Sequence, residues 1–117
     1  MKYIAGPNNL NRKESLCINE EMENLTKWYI QSEIENVRNL EKALENKNFN
    51  TLILLGDQLY GHGASFGFPY VSRIGKRIEI AAISQDLSLL NLLILSLKIY
   101  LFDLHIANFN LDNPLLN

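Results

Sequence analysis

The chain contains one cysteine, Cys17, and two histidines, His62 and His105. One cysteine excludes an intrachain disulfide, and so few thiols and imidazoles cannot supply the spacings of a structural zinc site. Cys17 reads as a small apolar residue near the start of the fold. Excess charge of one sign is also missing. Eleven Lys and Arg against thirteen Asp and Glu leave a formal net charge of -2, which gives no electrostatic reason to expect a nucleic acid or an anionic membrane as partner. The stretch Met1-Lys2-Tyr3-Ile4-Ala5-Gly6-Pro7 lacks the long apolar core of a secretory signal. No long unbroken apolar run occurs either. The most apolar stretch, Leu87 to His105, is interrupted by Ser88, Asn91, Ser96, Lys98 and Asp103, the pattern of a buried helix rather than a membrane span. A cytoplasmic location is the resulting expectation.

What remains is a chain of 117 residues that is 47% hydrophobic. This is enough for one domain with a modest core and too apolar for disorder. Residues 1–19 are polar and lack periodicity, and read as an arm. From Glu20, Met22, Leu25, Trp28 and Tyr29 recur at spacings of three and four. Ile34, Val37, Leu40, Ala43 and Leu44 continue that stripe. One helix could run throughout, or a short additional N-terminal helix could break near Ile30-Gln31-Ser32.

Asn48 or Asn50 can cap the next helix with its side-chain oxygen, and Gly67-Phe68-Pro69 ends it. Pro69 suits the first turn of a third helix, where its missing N–H costs nothing; Val71, Ile74, Ile78, Ala81 and Ala82 form its apolar stripe. Asp86 can cap a fourth helix carrying Leu89, Leu90, Leu93, Leu97, Tyr100 and Leu101. Strand-like alternation and internal repeats are absent from the sequence. The expectation is an all-α, antiparallel four-helix bundle over residues 20–105, with short loops and a tail at 106–117.

Gly56, Gly61 and Gly63 interrupt the second helix, each costing roughly 1 kcal/mol relative to alanine in a helix interior. Such a cost calls for close approach of another backbone: a neighbouring helix, which can explain Gly56 and Gly63, or a partner. On a helical wheel Leu52, Leu55, Leu59 and Phe66 cluster on one face and Asp57 lies nearly opposite. Ile53, Leu54, Tyr60, Gly61 and Ala64 surround Asp57 within about 60°. One carboxylate among small and apolar residues on an outward face reads as a docking patch.

The run Gly56-Asp57-Gln58-Leu59-Tyr60-Gly61-His62-Gly63-Ala64-Ser65-Phe66-Gly67-Phe68 resembles, without a gap, the signature of the histidine phosphotransfer (HPt) family of bacterial phosphorelays. That signature reads approximately Gly-His-x-Leu-Lys-Gly-x-Gly-x-x-Phe-Gly-Phe in one subgroup. The resemblance extends to Ser72-Arg73-Ile74-Gly75 and to the helix begun by Asp86, and covers roughly residues 20–105. It implies a four-helix bundle, and as partner a response-regulator receiver domain or a histidine kinase. In the family an exposed imidazole exchanges a phosphoryl group with a receiver aspartate, a lysine one turn on favours the added charge, and a glycine gives the receiver room.

Here Asp57 stands at the acceptor position and Tyr60 at the lysine position; only Gly61 is retained. Acyl-phosphate chemistry in receivers uses Mg²⁺ held by several acidic groups. No other acidic residue falls between Thr51 and Glu79, so neither metal nor cofactor is expected. The reading is a non-catalytic adaptor docking through Ile53, Leu54, Asp57, Tyr60, Gly61 and Ala64. One rival is an active phosphotransfer protein using His62; another is a helical interaction module unrelated to phosphorelay. The ordinary expectation for His62, about 140° around the helix from Asp57, is a partly buried residue at a helix–helix contact. His105 reads as structural or incidental, and Arg73, Lys76 and Arg77 as a solvated basic cluster able to pair with acidic groups on a receiver.

Overall fold

The computed structural model describes residues 12–109, with side-chain environments for residues 20–107. It is an all-α four-helix bundle: α1 Arg12–Glu45, α2 Phe49–Phe66, α3 Pro69–Ile83 and α4 Leu87–Phe109. The helix ends follow from local chemistry. The Asn48 side chain accepts from the Thr51 N–H at 3.1 Å and caps α2. Gly67 ends α2 at φ 81, a left-handed conformation that a side chain would strain. The Phe68 N–H then donates to the Gly63 carbonyl at 2.7 Å, closing a Schellman-type turn. Pro69 opens α3, and Asp86 accepts from the Leu89 N–H at 3.1 Å to cap α4.

These short connections make α1 to α4 antiparallel neighbours in sequence order, with α4 returning beside α1 and α2 diagonal to α4. The core draws on all four helices: Val37 and Leu40, Leu52 and Leu59, Val71, Ile74 and Ile78, and Leu90, Ile94, Leu97 and Leu101. An aromatic stack seats the α2–α3 turn on α1. The Tyr29 ring lies against Phe66 at 4.5 Å and Phe68 at 5.1 Å between centroids, the offset-stacking range.

The N-terminal region differs from its sequence reading. Among the described residues no separate short helix precedes the bundle: α1 is continuous through Ile30-Gln31-Ser32 and begins at Arg12, inside the stretch read as an arm. Burial explains the continuity, because Ile30 is wholly enclosed and Glu33 is 1% exposed, so the helix is packed on both sides of the exposed Gln31. Residues 1–11 lie outside the described part of the chain. At the other end α4 runs past His105 to Phe109, and residues 110–117 are likewise outside. Met22, Leu25 and Trp28, read as the start of the inward stripe, are exposed. With 34 residues, α1 is roughly 50 Å long against roughly 27 Å for the 18 residues of α2. Its first turns therefore extend past the end of α2, where Trp28 still meets Phe66 at 6.1 Å between ring centroids.

Candidate functional site

The glycines of α2 separate into two kinds. A Cβ on Gly56 would lie 2.7 Å from the Glu79 nitrogen and 2.8 Å from the Gly75 carbonyl oxygen. One on Gly63 would lie 2.5 Å from the Ser72 nitrogen. One on Gly75, across the interface, would meet Leu59 Cβ at 2.6 Å and the Tyr60 nitrogen at 2.7 Å. These three let the backbones of α2 and α3 touch. The Ser72 hydroxyl, donating to the Tyr60 carbonyl at 2.8 Å, fixes the same seam. Gly61 is different: among the described residues a Cβ there would find nothing within 4 Å. Internal packing therefore accounts for Gly56 and Gly63 and leaves Gly61 unexplained.

The buried stripe of α2 is accordingly Leu52, Gly56, Leu59 and Gly63. It is rotated toward α3 from the stripe read by hydropathy, and Leu55 and Phe66 are half-buried at its edge. The rotation leaves the opposite face where it was expected. Asp57, Gly61 and Ala64 are exposed, as are Leu54 and Tyr60, while Ile53 is half-buried against the core. One carboxylate thus sits on an outward surface with small residues along the helix from it and apolar bulk on either flank.

α2 carries no Lys or Arg, and a cation reaches this face from α3. The Lys76 ammonium lies 5.1 Å from the centroid of the Tyr60 ring, within cation–π range, and bonds Glu79 at 2.9 Å. The Glu79 hydrogen bond and charge hold Lys76 above its ordinary ionisation range, with smaller contributions in the same direction from Tyr60 and Asp57. This face of α2 therefore carries a paired, tethered cation supplied from α3. Tyr60 and Lys76 lie on different helices, so no spacing rule announced the contact; Lys76 appeared in sequence only as one of three basic residues. Arg73 and Arg77 are exposed on the same helix.

His62 is exposed, contrary to the expectation of a helix–helix contact. The reason is the rotation of the buried stripe: with Gly63 and Leu59 against α3, His62 is carried out on the α1 side of α2, away from Asp57. His105 is half-buried near the end of α4. Among the described residues no group of three or more His, Cys, Asp or Glu side chains could hold a metal ion. Two further polar groups are enclosed beside the aromatic stack. Glu33 accepts from Asn36 at 2.6 Å through one oxygen, and its carboxylate acts on the enclosed Tyr29 hydroxyl. Burial pushes the Tyr29 hydroxyl upward from its ordinary range, and the Glu33 carboxylate pushes it the same way.

No protein-family model matches the chain, and neither a curated protein nor a solved structure is significantly similar to it.

Proposed function

We propose that this chain is an HPt-like adaptor of a phosphorelay, docking a receiver domain or a histidine kinase on the outward face of α2 without exchanging phosphate. The observation that carries the reading is Gly61, a glycine kept in the middle of an exposed helix with open space around its Cβ position. Its cost of roughly 1 kcal/mol has no return inside the bundle, and room for an approaching partner supplies one. The gapless motif from Gly56 to Phe68 and the four-helix architecture support the assignment to this class of adaptor. Asp57, Leu54, Tyr60 and Ala64 supply the contact, with Ile53 beneath them. A single carboxylate in place of the imidazole leaves no nitrogen nucleophile there, hence an adaptor rather than a phosphate carrier. The cytoplasm is the location that fits such partners.

One observation favours a second reading. His62 is exposed, so an imidazole is accessible on α2 even though it is displaced from the Asp57 face. Incubation with phosphorylated receivers and with kinases distinguishes the two. The adaptor binds and stays unlabelled. An active transferase acquires acid-labile, base-stable phosphohistidine that His62→Ala abolishes. Binding of neither partner class sinks both readings. The variant Asp57→His with Tyr60→Lys restores the family pattern at two exposed positions, giving up the Lys76–Tyr60 contact, and is expected to convert the adaptor into a phosphate acceptor.

A further inference from the structure

The fourth helix is apolar all round. Its inner face, Leu90, Leu93, Ile94, Leu97 and Leu101, is in the core, yet Leu92, Leu95, Ile99, Phe102 and Ile106 on the other side are 40 to 60% exposed. A helix apolar on every side expects cover on every side, and the bundle covers one.

The outer residues recur at spacings of three, four, three and four, the repeat of a coiled-coil seam. Leu92, Ile99 and Ile106 take the a positions; Leu95 and Phe102 take the d positions. Ile99 and Ile106 at a with Leu95 at d follow the pattern that favours two parallel strands, from which Leu92 at a and Phe102 at d depart. In that arrangement a g residue faces the e residue five positions later on the second helix. Lys98 is the g residue and Asp103 the e residue five positions on, so the flanking charges are complementary and the pair occurs twice by symmetry. Lys98 already lies along this edge, held at 2.9 Å from Glu41 of α1. The bundle supplies a preformed helix, so so short a seam bears no helix-forming cost.

The other occupants fit less well. By length and composition Leu87–Ala107 could cross a membrane, but insertion would remove five core residues from α1, α2 and α3. A helix lying in a membrane surface is flanked by an excess of Lys and Arg, whereas the groove beside this seam sets Glu41 and Glu45 among Arg38, Lys42 and Lys47, and the seam itself carries one Lys and one Asp.

We infer that a second copy of this chain covers α4, forming a parallel two-fold dimer along Leu92, Leu95, Ile99, Phe102 and Ile106. The inference is independent of the α2 reading, because α2 and α4 are diagonal in the bundle and both copies leave the Asp57 face outward.

Sedimentation velocity across a wide concentration range tests it, with the full chain. The expected result is twice the monomer mass. Ile99→Glu apposes two carboxylates in the seam and weakens association by about a hundredfold or more while helicity is retained. Asp103→Lys faces Lys98 with a like charge and weakens it less. Leu92→Cys in a Cys17→Ser background cross-links to itself on oxidation, because a parallel seam places equal positions together; an antiparallel pair would separate them by roughly 20 Å. A monomer at every concentration overturns the proposal, as does a dimer indifferent to Ile99→Glu. Absence of Leu92→Cys self-cross-linking in a dimer overturns the parallel register. Binding of a monomeric wild type to neutral phosphatidylcholine vesicles assigns the face to lipid instead and also overturns it.

Discussion

Replacing Gly61 with alanine should stabilise the protein. Gly61 lies within α2, outside the residues with positive φ, so helical backbone suits alanine there. Among the described residues nothing lies within 4 Å of the added Cβ, so no packing is disturbed and no strain is introduced. What remains is the propensity difference between glycine and alanine in a helix interior, about 1 kcal/mol. For a domain of this size that corresponds to a rise of about 4 °C in Tm. Far-UV circular dichroism during thermal and urea unfolding measures both. Gly63→Ala is the control on the same helix. Its Cβ would sit 2.5 Å from the Ser72 nitrogen, backbone that cannot give way without separating α2 from α3, at a cost of about 2 kcal/mol or more. Opposite signs for two Gly→Ala changes two residues apart are the signature of the proposed division. Loss of stability in Gly61→Ala would show that this glycine serves the fold, and the argument for a partner would fail.

Three further outcomes are expected. Because the folded state holds the Tyr29 proton more tightly than the unfolded chain does, stability is fully present below about pH 10 and falls as pH rises above it, by up to about 1.4 kcal/mol per pH unit; denaturation of Tyr29→Phe should lose that part of the alkaline slope. His62→Ala, at an exposed position, should change stability by no more than about 0.5 kcal/mol, as read by chemical unfolding. Ser72→Ala removes the hydroxyl that bonds the Tyr60 carbonyl and should cost about 1 kcal/mol, measured in the same way.

Where the helices end was legible in sequence because caps are local. Asn48, Gly67, Pro69 and Asp86 each act through the backbone within a few residues. The outward position of Asp57 was legible because it depends only on helical period. The direction of the buried stripe was less so. Hydropathy weights Leu55 and Phe66, whereas the α2–α3 contact is made through Gly56, Gly63 and Gly75, which carry no apolar side chain to signal it. The misplacement of His62 follows from that rotation. The unbroken α1 was obscured because Gln31-Ser32 reads as a polar break, whereas Ile30 and Glu33 on either side of it are buried. The Lys76–Tyr60 contact joins residues of two helices and has no local signature. The outer seam of α4 was present in the sequence, but its apolar residues read as core until the bundle left them uncovered.

The central claim is that the Asp57 face of α2 is a docking surface whose opening is Gly61. The most direct measurement is titration of the protein, and of Gly61→Leu, with a panel of phosphorylated and unphosphorylated receiver domains, following complex formation and phosphate label together. Leucine is a good helix former and has open space at this position, so the variant should be at least as stable as the wild type. The account predicts that the wild type binds a receiver without acquiring label and that Gly61→Leu, fully folded, loses that binding. A receiver bound equally well by both proteins would contradict it.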